Sequence, residues 1–417
     1  WRSTRDGFAH LYLYRNDGTP VGQVTRGDWD VTTFHGVDER TGFVYVTTTA
    51  AGPRERHLYR VPLPAAAQTP AARRVQRGRP ATPERLTHDP GWHTVQLSAD
   101  YGYFLSTYST ATEPPTTALF ATSGRTPGAR VATLVDNAPL RERLARYALP
   151  APEFMTVPGA DGTPLEAYLI RPRDFDPSRQ YPLLIHTYGG PGSQVVRDRW
   201  EGNQRLWHHY LADTYGILVA GVDNRGSGGR GWAFKTATQN RLGILEAQDQ
   251  TAAARYFGAL PFVDERRLGI WGWSYGGYLS LLSALYGDGP ETFRVAVAVA
   301  PVTNWRQYDT IYTERYLSTP QKNPAGYDAG SPVTYAANLR EHQRVLLIHG
   351  DADDNVHVQN TLVMADAFQA AGKPFDMMLY PGRDHGIFGG RTRLHLFSLL
   401  TRYVAEHLAG QPFSASN

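Results

Sequence analysis

The 417-residue sequence contains no cysteine. That excludes disulfides, thiolate nucleophiles, Cys-ligated zinc and iron–sulfur clusters. Zero cysteine assigns no compartment, because reducing and oxidising ones both tolerate it. Charge is sparse and balanced: 19% of residues are charged and the net charge is +3. Nothing in that balance calls for a nucleic acid or a membrane surface as partner. Long apolar runs are also missing. Val295–Val299 and Val345–Ile348 are typical, far below the roughly 18 residues of a membrane helix. What the sequence does hold is 24 Tyr, 16 Phe, 9 Trp, 41 Gly and 29 Pro, the composition of a globular, turn-rich chain. At about 150 residues per domain the length implies two or three domains. The first residue is Trp1 and not Met, so either processing made this end or the chain is a piece of a longer polypeptide.

Residues 1–138 read as β structure. Leu11–Tyr14 and Val21–Thr25 alternate across a turn at Asn16-Asp17-Gly18, and Phe43–Thr49 and Tyr101–Tyr108 are rich in aromatic, Val and Thr residues. No stretch before about residue 139 has helical periodicity. A weak repeat pairs Gly27–Val31 with Gly91–Val95, Phe43–Thr47 with Tyr103–Thr107, and Leu58-Tyr59 with Leu119-Phe120. Repeated four-strand units suggest β-propeller blades, with an irregular sandwich as the other reading. There is room for about two to three blades, fewer than the roughly four to eight of a closed propeller. The basic residues Arg73, Arg74, Arg77, Arg79 and Arg85 sit in a Pro/Ala/Arg-rich insertion and are expected to form a solvated loop.

Residues 139–417 read differently. Apolar strands at Leu183–Tyr188, Gly216–Val222, Leu268–Trp273, Val295–Ala300, Arg344–Ile348 and Phe375–Tyr380 alternate with amphipathic segments such as Ile244–Gly258 and His395–Leu408. Such alternation predicts an α/β fold with a parallel sheet covered on both faces. Phe154–Val157 and Leu165–Ile170, joined through Asp161-Gly162, predict an antiparallel hairpin on its edge.

Gly272-Trp273-Ser274-Tyr275-Gly276 fits G-x-S-x-G between a strand and the helix Tyr278–Leu285. That is the context of a nucleophile elbow, where a tight strained turn lifts a serine hydroxyl above the sheet. A serine hydroxyl needs a base, and in α/β-hydrolases the acid and then the histidine follow the serine. Arg344–Ile348 runs into a loop with Asp351, Asp353 and Asp354, and the next strand runs into Asp384-His385. His385 is in place for the base, while spacing leaves the three aspartates open. The oxyanion would meet the Tyr275 backbone N–H and a donor from the loop Thr187-Tyr188-Gly189-Gly190-Pro191-Gly192.

Two other patterns carry nothing. Gly226–Gly231 matches G-x-G-x-x-G after a strand, yet no clear helix is expected to open on it, so dinucleotide binding is set aside. Asp351, Asp353 and Asn355 mimic the start of a calcium loop, but Val356 and Leu362 stand where Gly and Glu are needed. No H-E-x-x-H is present.

The elbow through Tyr278, Asp223–Gly228, Tyr308-Asp309 with Tyr312–Tyr316, and Asp353–His357 resemble the dipeptidyl peptidase IV branch of the prolyl oligopeptidase family. The resemblance is strong over about 150–410 and weaker before, where the chain is similar to the last blades of that family's propeller. It implies an α/β-hydrolase catalytic domain preceded by C-terminal blades of a β-propeller. It further implies Ser274 as nucleophile, Asp353 as acid and His385 as base. The Tyr188 hydroxyl and the Tyr275 N–H would form the oxyanion hole. Val302, Trp305, Tyr308, Tyr312, Val356 and the Tyr275 ring would accept a proline, and Asn355 a substrate carbonyl. Read without the resemblance, Tyr308 and Tyr312 are a core-facing stripe. The activity implied is a serine peptidase releasing dipeptides with Pro or Ala second, without metal or organic cofactor. A homodimer and a secreted, periplasmic or membrane-anchored setting are implied too, the anchor lying upstream of Trp1. An acylaminoacyl or oligopeptidase-type peptidase, an esterase, and an inactive scaffold are the other readings. One departure stands out: the family's substrate-amine glutamate pair has no counterpart, since no Glu-Glu occurs in this sequence.

Overall fold

A computed structural model describes residues 1–76 and 82–413. The chain forms two compact units. One comprises Trp1–Ala151, Arg197–Arg205 and Gly228–Lys235; the other comprises Pro152–Val196, Leu206–Ser227 and the chain from Thr236 onward.

The first unit is built from antiparallel sheets. A three-stranded sheet (Arg2–Ser3, His10–Tyr14, Pro20–Gln23) is followed by two four-stranded sheets, each pairing its strands in chain order. The first uses Val31–Asp38, Phe43–Thr48, His57–Pro62 and Glu84–Arg85; the second uses Trp92–Leu97, Tyr103–Ser109, Thr116–Ala121 and Arg130–Val135. The sequence repeat falls on equivalent strands: Phe43–Thr47 and Tyr103–Thr107 lie in second strands, Leu58-Tyr59 and Leu119-Phe120 in third strands. Alternation along these strands sends Phe43, Tyr45, Leu58, Phe104, Ala118 and Phe120 into one apolar cluster.

Two expectations about this region need correction. A helix, Pro70–Gln76, stands in the insertion that was expected to be loop, with Pro at its start and Ala72 buried. Seven residues are too few for periodicity to register. Arg73 and Arg74 lie on that helix, whereas Arg77 and Arg79 lie outside the described residues. Arg85 belongs to a strand, and its Nε donates to the Thr87 carbonyl at 2.6 Å. The first unit extends to Ala151. Helix Ala138–Ala145 stays with the first unit because Asn137 Nδ2 donates to the Pro115 carbonyl at 2.7 Å and Arg141 Nη2 to Thr116 Oγ1 at 2.9 Å.

The second unit holds an eight-stranded mixed sheet. Its strands are β1 (Glu153–Pro158), β2 (Pro164–Ile170), β3 (Tyr181–His186), β4 (Leu218–Asp223), β5 (Val263–Trp273), β6 (Val295–Val299), β7 (Arg344–Gly350) and β8 (Asp376–Tyr380). Their spatial order is β1-β2-β4-β3-β5-β6-β7-β8. The edge hairpin β1–β2 is antiparallel and β2 pairs antiparallel with β4. All other neighbours are parallel. Central strands such as β4 and β6 are buried on both faces, which is why they read as continuous apolar runs. The helix Tyr275–Leu285 is buried along its whole length, so it is apolar on every side. This is the α/β-hydrolase arrangement, and it brings the C-terminal ends of β5, β7 and β8 to one edge. A helix, Gly231–Thr236, does open at the last glycine of Gly226–Gly231, against expectation, but it runs only six residues. Among the described residues no helix is long and apolar enough to cross a membrane, and no His/Asp/Glu cluster could hold a metal ion.

Candidate active site

β5 ends at Trp273, and the chain turns through Ser274 into the helix Tyr275–Leu285. Ser274 has φ 60° and ψ −122°, a conformation that side-chain-bearing residues avoid. Two backbone hydrogen bonds hold it there: Ser274 N donates to the Val299 carbonyl at 2.8 Å and Tyr278 N to the Ser274 carbonyl at 2.9 Å. The small residues are required by proximity, since a Cβ at Gly277 would lie 2.5 Å from the Val299 carbonyl oxygen.

The loop after β7 presents Asp353 and the loop after β8 presents His385. His385 Nδ1 lies 2.6 Å from Asp353 Oδ2. Asp353 Oδ1 accepts the backbone N–H groups of Asn355 at 3.0 Å and Val356 at 2.9 Å. Burial pushes the Asp353 carboxyl up, but hydrogen bonds from His349 and His385 outweigh it and hold the group well below the usual carboxylate range. The three aspartates that spacing left open are separated here. Asp351 Oδ1 accepts Gly382 N at 2.5 Å, Asp354 is exposed, and Asp353 alone meets His385. The His385 loop is tied to the elbow by Trp273, whose Nε1 donates to the His385 carbonyl at 3.0 Å.

The loop Thr187–Gly192 follows β3. Burial raises the Tyr188 hydroxyl pKa against an opposing interaction with Ser274, so it stays a donor at neutral pH. Gly190 is needed where the loop crosses two rings: a Cβ there would lie 3.0 Å from both Tyr188 and Tyr275. Asn224 Nδ2 braces the loop through the Gly189 carbonyl at 3.0 Å, and Gln250 Nε2 donates to Asn224 Oδ1 at 2.9 Å.

Beside the elbow lies an aromatic cluster. Trp305 stacks on Tyr312 with centroids 6.2 Å apart, and Tyr308 meets Tyr312 edge-on at 5.4 Å. The Tyr275 ring lies 5.8 Å from Trp305, and Val302 and Val356 close the same cluster. The Tyr308 hydroxyl donates to Asn355 Oδ1 at 2.8 Å. Asp309 caps the helix Thr310–Leu317 by accepting Tyr312 N at 2.8 Å, which fixes where Tyr312 points. Every site residue named from the sequence thus lies within the second unit, at the sheet's C-terminal edge or in the cluster beside it.

Two residues in the site had no sequence signal of their own. Glu246, fully buried on the helix Ile244–Gly258, accepts the Tyr275 hydroxyl at 3.0 Å. Burial pushes its carboxyl up to about 8. His349, fully buried at the end of β7, lies 3.2 Å from Asp353 Oδ2. A glutamate on an amphipathic segment reads as its polar face, and a histidine inside an apolar strand reads as core.

A sequence model of the prolyl oligopeptidase family matches residues 203–411, and one of the dipeptidyl peptidase IV N-terminal region matches residues 1–115. A probable dipeptidyl-aminopeptidase B from Emericella nidulans is 38% identical over 99% of this chain and 44% of its own length. Dipeptidyl-aminopeptidase B from Aspergillus niger is 38% identical over 92% of the chain and 40% of its own length. Among solved structures, dipeptidyl peptidase 4 from Porphyromonas gingivalis has a TM-score of 0.89 at 40% identity, covering 98% of this chain and 54% of that one. A putative dipeptidyl aminopeptidase IV from Bacteroides ovatus has a TM-score of 0.82 at 31% identity. The chain spans less than half the length of these curated relatives. It belongs to the prolyl oligopeptidase family.

Proposed function

We propose that this member of the prolyl oligopeptidase family is the catalytic part of a serine peptidase that releases N-terminal dipeptides with Pro or Ala in the second position. The observation that carries the reading is the 2.6 Å hydrogen bond from His385 to Asp353, with Ser274 presented on a strained elbow.

His385 Nδ1–H is held by Asp353, which leaves Nε2 as the basic atom. Nε2 takes the Ser274 proton as Oγ attacks the substrate carbonyl, and Asp353 stabilises the imidazolium. The developing oxyanion lies between the Tyr188 hydroxyl and the Tyr275 N–H. His385 then hands its proton to the leaving amine. Water, deprotonated by the same nitrogen, hydrolyses the acyl-enzyme. None of these steps uses a cofactor.

The aromatic cluster supports the choice of residue. A proline ring is apolar and rigid, and flat walls bury it without ordering a flexible side chain. Asn355 Oδ1 is occupied by Tyr308, so its amide N–H groups are left to meet a substrate carbonyl. Pro or Ala preference, and the pairing of subunits implied by the resemblance, remain parts of this proposal.

The dipeptide step is the part to test with substrate, because the sequence holds no adjacent glutamates for the amine. The protein is expected to hydrolyse Gly-Pro-anilide and to refuse its N-acetyl form. Equal turnover of both would favour an acylaminoacyl or oligopeptidase-type activity.

A further inference from the structure

His349 lies outside the three residues assigned to the reaction, yet it touches one of them. Its ring is fully buried where β7 ends. Nε2 lies 2.7 Å from the Val356 carbonyl and 3.2 Å from Asp353 Oδ2, and Nδ1 lies 2.7 Å from Thr361 Oγ1. A backbone carbonyl only accepts, so Nε2 carries the proton whichever charge the ring holds. That one N–H donates to the carbonyl, and its nitrogen sits against the carboxylate. Thr361, itself fully buried on the helix Gln359–Ala370, fixes the other end of the ring.

The consequence falls on Asp353. Oδ1 is held by two backbone N–H groups, and Oδ2 receives His385 on one side and His349 on the other. A carboxylate can turn about its last bond. With His349 Nε2–H anchored to the Val356 carbonyl and its nitrogen 3.2 Å from Oδ2, that turn is hindered, and Oδ2 stays aimed at His385 Nδ1. A phenylalanine of similar size would fill the space but remove that contact, leaving Oδ2 held by His385 alone.

We propose that His349 is a positioning residue for Asp353, holding the acid in the orientation that fixes the tautomer and direction of His385. The inference rests on the serine peptidase reading given above. His349 meets neither substrate nor reacting atoms; it acts through Asp353. Partners one shell out from a reacting centre are worth about 10- to 100-fold where they have been removed.

The test compares His349→Ala, His349→Gln and His349→Asn in the full chain. Each is titrated with a fluorophosphonate so that kcat is expressed per reactive Ser274. Gln places an N–H near the position of Nε2; Asn reaches only the position of Nδ1. The expected result is a fall in kcat per titrated site of about 10-fold or more for Ala and Asn, with KM for Gly-Pro-anilide changed less than about twofold, and recovery to within about threefold for Gln. The low-field proton resonance of the His385–Asp353 hydrogen bond is expected to shift or broaden in the Ala variant and persist in the Gln variant. Wild-type kcat per titrated site and an unmoved resonance in His349→Ala would overturn the inference. If Ala does not fold, equal activity of the Gln and Asn variants overturns it. Failure of the wild type itself to react with the fluorophosphonate would instead sink the peptidase reading.

Discussion

The Tyr308 hydroxyl donates to Asn355 Oδ1 at 2.8 Å, joining the aromatic wall to the loop that carries Asp353. The hydroxyl therefore sets which way the Asn355 amide faces. Tyr308→Phe keeps the ring and frees the amide to turn. Loss of one such hydrogen bond is worth about 1 kcal/mol, so KM for Gly-Pro-anilide is expected to rise roughly fivefold with kcat little changed. Steady-state kinetics check this; a change confined to kcat would contradict the assignment of Asn355.

Asp353→Asn keeps the shape of the acid but leaves an amide against His385 Nδ1. The imidazole is then free to take the other tautomer, with its proton where the serine proton should go. A loss in kcat of order 10⁴ is expected, with KM nearly constant. Asp351→Asn and Asp354→Asn are expected to stay within about threefold of wild type, since neither is hydrogen-bonded to His385. A variant at either position as damaging as Asp353→Asn would move the acid to another loop residue.

Tyr188→Phe removes one of the two donors proposed for the oxyanion while leaving the ring against Tyr275, 6.1 Å away between centroids. One such donor is worth about 10²–10³ in kcat. The effect should appear in kcat and not in KM, because the charge it meets exists only in the transition state.

Glu246 is uncharged when buried and charged in the unfolded chain above its ordinary value of 4.5. Its folded value, raised to about 8 by burial, means that the native state holds a proton the unfolded state has lost between about pH 4.5 and 8. Stability due to this group is fully present below 4.5 and is lost as pH rises toward 8, by at most about 1.4 kcal/mol per pH unit. Glu246→Gln removes the titration and keeps an acceptor for Tyr275. The fall in Tm between pH 5 and pH 8 is expected to be smaller in the variant; thermal melts with an identical fall in both proteins would contradict it.

Much of this was legible in the sequence because the signals were local or were set by burial. β4 and β6 are buried on both faces, so their apolar runs are unbroken. The elbow needs its small residues next to the serine. The partner of His385 was harder to read, since Asp351, Asp353 and Asp354 share one loop and only the fold of the next loop brings His385 round to Asp353. Tyr308 and Tyr312 show the same helical spacing whether they face a core or a substrate; both join the buried cluster and remain half-open. Glu246 was invisible because its partner Tyr275 is distant in sequence, and His349 because only the turn of the chain after β7 brings Asp353, four residues on, back against its ring. The helix Pro70–Gln76 was missed because two turns of Ala and Arg have no apolar stripe.

The most direct test of the central claim is reaction of the purified protein with a fluorophosphonate, read by intact mass and peptide mapping. The account predicts a single adduct on Ser274, abolished in Ser274→Ala and strongly slowed in His385→Ala. No adduct, or an adduct on another serine with Ser274 unmodified, would contradict it.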